Sequence, residues 1–213
     1  MPGRLNEAFA AIDAANAEDP RDRELRDAEL AVAWVRQLRP DAPEPLLLAA
    51  RGHHVRRWEI PRSSYPEGRA GYLRWKRDLQ GHHAAVLAPL LSACGYGHDE
   101  VARVQEIVRK RGLATDPDVQ ALEDALCLVF LQTQFTELVD RLDDDKMVDI
   151  LRKSLGKMSE GGKAAAMGIE LGQRESALLG RALGEMTWTP WTPNDEPPIW
   201  PRSPSGATPS WRG

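Results

Sequence analysis

All five histidines of the chain fall between residues 53 and 98, and four of them form adjacent pairs, His53-His54 and His82-His83. Imidazoles are the side chains best suited to move a proton or hold a transition metal near neutral pH. At about 100° per residue along a helix, His54 falls on the apolar stripe of Leu47, Ala50 and Trp58. His83 falls at the centre of a second stripe, Tyr72, Trp75, Leu79, Val86 and Leu90. Both are expected to point inward, with His53 and His82 on the flanks. The third component is Glu123-Asp124, set in the run Ala121 to Leu131, which is apolar nearly all round. A carboxylate there needs a cation, strong hydrogen bonds or a metal to stay ionised. Two inward imidazoles and an acid from three helices suit a divalent metal with open positions, and His53 offers a further ligand. The same groups would equally serve as hydrogen-bonded core side chains.

Between the histidine pairs the chain turns basic. Arg56, Arg57, Arg62, Arg69, Arg74, Lys76 and Arg77 are interleaved with Trp58, Tyr65, Tyr72 and Trp75. Guanidinium forks bind phosphate or carboxylate in pairs of hydrogen bonds, and aromatic faces stack bases or sugars. The expected binding set is Arg56, Arg57, Arg62, Arg69, Tyr65 and Trp58, with Lys110 from a later helix. Arg74, Lys76 and Arg77 read as a solvated face paired with acids. The whole chain of 213 residues carries 28 Lys plus Arg against 32 Asp plus Glu, a net charge of -4. That balance excludes a general duplex-DNA binder, which must neutralise many phosphates. The expected partner is an anionic small molecule bearing phosphate.

The elements that must position these groups read as helices throughout. A short amphipathic segment with Leu5, Phe9 and Ile12 stops at Asn16-Ala17-Glu18-Asp19-Pro20. Helical patterns follow over about 23–38, 44–58, 70–94 (with Pro89 inside), 99–111 and 118–142, and a further pair runs to about 186. Residues 60–69 hold two prolines and a glycine, which forbid a continuous helix there. No alternating strand pattern, phosphate-binding glycine loop or dinucleotide fingerprint occurs. The expected fold is an all-α bundle over 1–186 as a single domain, followed by a Trp/Pro-rich tail over 187–213, extended or disordered. No apolar run approaches the ~20 residues that cross a bilayer, and Cys94 and Cys127 sit in apolar helical patterns. A cytoplasmic protein without membrane attachment is the expectation; the oligomeric state is left open.

Several segments resemble the DUF4202 family: Ala14-Ala15-Asn16-Ala17-Glu18-Asp19-Pro20, Ala50 through Arg62, Tyr65-Pro66, Arg69-Ala70-Gly71-Tyr72, His83-Ala84 and Leu122-Glu123-Asp124-Ala125. The likeness covers most of residues 5–160. A more distant resemblance is to HD-domain metal-dependent phosphohydrolases, whose bundles hold a divalent metal with a His-Asp doublet, another histidine and a later aspartate. Here His53-His54 stands in place of the doublet, His83 looks like the intervening histidine and Asp124 like the last aspartate. The doublet is His-His, and no histidine occurs over 23–38, where Asp27 and Glu29 are the nearest substitutes. That resemblance implies an HD-like core over about 23–142, with manganese, iron, cobalt or zinc held by His54, His83, Asp124 and His53, or else a scaffold that has lost its metal.

Two functions follow. In the first, the protein is a metal-dependent hydrolase of a phosphate-bearing small molecule or nucleotide, with Glu123 or Glu59 as general base and the cationic loop steadying phosphate oxygens. In the second, the same pocket captures an anion, nucleotide or RNA end without turnover.

Overall fold

A computed structural model describes residues 3–19, 23–113 and 115–184, and among them every regular element is helical. The helices are α1 (Arg4–Asn16), α2 (Glu24–Leu38), α3 (Glu44–Gly52), α4 (Gly68–Ala93), α5 (His98–Val108), α6 (Pro117–Thr133), α7 (Phe135–Val139), α8 (Asp144–Leu155), α9 (Glu160–Met167) and α10 (Gln173–Gly184). The tail over 187–213 lies outside the described residues.

Three boundaries differ from the sequence expectation. The segment 44–58 is helical only to Gly52; a turn over 53–56 and a 3₁₀ turn at Arg57–Glu59 follow. The long pattern 118–142 breaks at Gln134 into α6 and α7, and the last expected pair is three helices. Pro89 does not divide α4, which runs unbroken from Gly68 to Ala93 with Pro89 on an exposed face.

α6 is the shared wall of two apolar cores. Its Val119, Leu122, Ala125 and Val129 join residues of α1 to α5, while Leu128, Phe130 and Leu131 join α7, α8 and α10. The central rod is α3, whose Leu46 to Ala50 are all buried by α1, α2, α5 and α6. A β-carbon on Gly52 would lie 2.4 Å from a Leu87 methyl, so only glycine lets α4 cross this closely at the end of α3. Arg56 then adopts a left-handed φ of 51°, which swings the chain out of the turn.

α1 and α3 run parallel, and ion pairs set their register. Arg4 meets Glu44 at 2.9 Å, Asp13 meets Arg51 at 2.5 Å and Glu18 meets Arg56 at 3.0 Å. The sequence offsets of these pairs are 40, 38 and 38. The end of α1 therefore lies beside the histidine turn.

Candidate functional site

The imidazoles converge where the end of α3 crosses α4. His53 and His54 have ring centroids 4.0 Å apart, and His54 lies 5.9 Å from His83. His53 Nδ1 donates to the Ala50 carbonyl at 2.8 Å and His83 Nδ1 donates to the Val55 carbonyl at 2.7 Å. Because a carbonyl only accepts, each ring presents the lone pair of Nε2. His83 is 2% exposed, and its Nε2 has no hydrogen-bond partner. His54 Nδ1 stands 3.2 Å from Glu24 of α2, and its side chain is 31% exposed, so this ring faces both the interior and the outside. Burial pushes all three below the ordinary histidine range: His53 and His54 well below it, with the neighbouring ring and Arg57 adding to the effect, and His83 to about 3. All three are neutral near pH 7.

A second group of charges adjoins the rings. Glu123, 4% exposed, is bonded by Lys110 Nζ and lies 3.9 Å from Lys157 Nζ. Burial alone would raise the Glu123 carboxyl, but Lys110, Lys157 and Lys76 outweigh it and hold the group well below its usual range. It is a poor general base, contrary to its expected role, because its charge is already committed to the lysines. Lys76, expected on a solvated face, is half-buried instead. Burial, then Lys110 and Lys157, lower its ammonium to about 8. Arg57 lies over the Trp75 ring at 5.1 Å and depresses both His54 and His83.

Asp124 points elsewhere. Its carboxylate accepts from the Ser159 backbone N–H at 2.9 Å, the Ser159 hydroxyl at 2.5 Å and Gln120 at 2.9 Å, which ties α6 to the start of α9. A β-carbon on Gly162 would come 2.7 Å from the Asp124 carboxyl carbon, so α9 seats directly on it. Among the described residues no three His, Cys, Asp or Glu side chains are disposed to hold a metal ion. The imidazole tautomers suit Nε2 ligation, but the expected set of His54, His83, Asp124 and His53 does not fit, since its only acid is consumed at a helix junction. Asp124→Ala should then cost about 2 to 4 kcal/mol, because buried donors are left unmatched. Urea unfolding checks this, and a loss below 1 kcal/mol would contradict it.

The remaining expected residues scatter. Glu59 is exposed and pairs with His82 at 3.3 Å and Arg56 at 3.8 Å. Arg56 is a clasp to Glu18, and its carbonyl lies 3.2 Å from His82 Nε2. Arg62 donates to the Tyr65 carbonyl, and Tyr65 donates to Asp78, so both hold the loop itself. That loop runs back along the first half of α4, where Ile60 accepts from Trp75 and Pro66 packs on Gly71. Arg69 is exposed at the start of α4, roughly 20 Å along the axis from His83 at the usual rise per residue. Trp58 is half-buried in the 3₁₀ turn. Sequence reasoning missed Glu24 and Lys157 and assigned Lys76 to the solvated face. Glu24, rather than Asp27 or Glu29, supplies the acid of α2. Asp27 pairs with Arg23, and Glu29 with Arg51.

The sequence profile of a domain of unknown function, DUF4202, matches residues 6–179. The chain belongs to this family. The matched span includes every element of the site, from α1 to the Lys157 turn, and stops within α10. No curated protein and no solved structure matches the chain. For this member of DUF4202 no helix of the described residues is long and apolar enough to cross a membrane.

Proposed function

We propose that this DUF4202 protein binds a phosphate-bearing small molecule where His53, His54 and His83 meet Arg57, Lys76 and Lys110. The observation that carries the reading is the surplus of positive charge about one buried carboxylate, Lys76, Lys110 and Lys157 around Glu123. Ammonium groups withdrawn from water are costly unless an anion answers them. A phosphate dianion beside Lys76 answers its half-buried charge, and neutral imidazoles nearby add no repulsion.

Thermal unfolding tests this against orthophosphate, pyrophosphate, nucleotides and sugar phosphates, with sodium chloride at matched ionic strength. Phosphate compounds should raise the melting temperature by several degrees beyond chloride, by the usual linkage. Lys110→Met and Lys76→Met should each reduce that shift. A chain that responds to every phosphate as it does to chloride has no such site.

The Glu24–His54 contact favours a second reading, hydrolysis of the bound ligand. The Glu24 carboxylate lies 3.2 Å from Nδ1, and the partial exposure of His54 lets water reach the ring, which its lowered basicity suits to orienting that water rather than to holding its proton. Phosphate release across the same compounds, with and without manganese, iron, cobalt or zinc, separates turnover from binding. His54→Ala should lower release by a larger factor than it lowers ligand-induced stabilisation.

A further inference from the structure

Asn16 is the last residue of α1 and lies on its buried face, in step with Ala8 and Ile12 at intervals of four. It is 1% exposed, and neither its amide nitrogen nor its amide oxygen has a hydrogen-bond partner. A carboxamide could satisfy four hydrogen bonds, so leaving both ends empty on an otherwise apolar stripe is anomalous. Its position makes the anomaly specific. The parallel pairing of α1 with α3, at offsets of 38 on either side of it, sets Asn16 level with His54. α1 packs chiefly on α3 and α4, the two helices that bring His53, His54 and His83 together. A further buried nitrogen without a hydrogen-bond partner, His83 Nε2, belongs to that crossing.

We infer that Asn16 and His83 form the recognition end of the ligand site and hold the hydroxyl groups of a phosphorylated sugar or polyol. This rests on the phosphate reading above and names its substrate class. The balance of donors and acceptors selects hydroxyls. Asn16 Oδ1 and His83 Nε2 accept; Asn16 Nδ2 donates. A ligand must therefore offer several donors and at least one acceptor in a small volume, which adjacent hydroxyls do. An ammonium group would supply donors only, and Arg57 and Lys110 beside the rings would repel it. The phosphate then lies toward Lys110 and Lys76, and the hydroxyls toward α1.

Calorimetric titration of the full chain decides this with matched esters: ribose 5-phosphate against 2-deoxyribose 5-phosphate, and glycerol 3-phosphate against propyl phosphate. The wild-type protein should bind each hydroxylated ester at least about tenfold more tightly than its poorer partner, since a site built to bond hydroxyls rejects analogues that lack them. Asn16→Leu, which keeps the volume and removes the amide, should bring those ratios close to one while orthophosphate affinity stays unchanged. Equal affinities within each pair for the wild-type chain, or ratios untouched by Asn16→Leu, overturn the inference and leave the phosphate site standing. Buried water filling the amide would give that second result. Should orthophosphate and all four esters fail to bind, the phosphate reading falls as well. The wild-type ratios are informative even if the variant does not fold.

Discussion

Glu123→Gln should lower stability by about 3 to 5 kcal/mol, the usual cost of leaving one partner of a buried ion pair uncompensated. For a chain of this size that corresponds to a melting temperature lower by on the order of 10 °C. The reason is local. Lys110 bonds Glu123 directly, Lys157 stands 3.9 Å away and Lys76 feels the same field, so one carboxylate serves three ammonium groups. Gln retains the shape and loses the charge. The variant should also regain more stability from added phosphate than the wild-type protein does, since an external anion replaces the missing one. Thermal unfolding at pH 7 with and without phosphate measures both effects. A variant within 1 kcal/mol of wild type, equally indifferent to phosphate, would mean that water already screens the lysines and that no cationic pocket exists.

Acid should unfold the protein through its histidines before its carboxylates. His83 titrates at about 3 in the folded chain against 6.5 when exposed, chiefly because burial penalises the imidazolium. The unfolded state thus binds more protons between these values. The stability concerned is fully present above pH 6.5 and is lost progressively as pH falls toward 3. His83 alone accounts for a loss of about 2 kcal/mol by pH 5. His53 and His54, also lowered well below 6.5, add to it in the same direction. Asp27 and Asp124 act oppositely, because burial raises their carboxyls and the fold then holds their protons more firmly. Their effect is of opposite sign, so the decline between pH 6.5 and 5 is the signature of the imidazoles. Urea unfolding across that window should show the decline, and His83→Gln should flatten it. A flat profile in the wild-type chain would show that the rings are open to water.

Much of the architecture is legible in the residues alone. Apolar positions recurring at helical spacing, with Pro and Gly clusters between them, specify an all-α chain because each helix must bury one stripe. The two histidine pairs and the acidic doublet of α6 are likewise visible as polar residues set among apolar ones, and burial is what makes them conspicuous. The failures are instructive. His54 reaches the crossing from a turn and not from the helical stripe on which it was counted, because α3 ends at Gly52, where α4 leaves no room for a β-carbon.

Glu123 and Asp124 show where local pattern stops. They are neighbours, both buried, and about 100° apart around the helix; sequence says that each needs a partner. Which one meets Lys110 and which one seats α9 depends on Ser159, 35 residues later, and on the loop after α5. The same holds for Glu24 against His54 and for Asn16 beside the turn, where the pairing of α1 with α3 sets the register. The chain by itself thus determined its helices and the polar residues they must bury. Only the tertiary structure decided which charges and amides face one another, because those choices are made by contacts between segments tens of residues apart, and helical periodicity carries no information at that range.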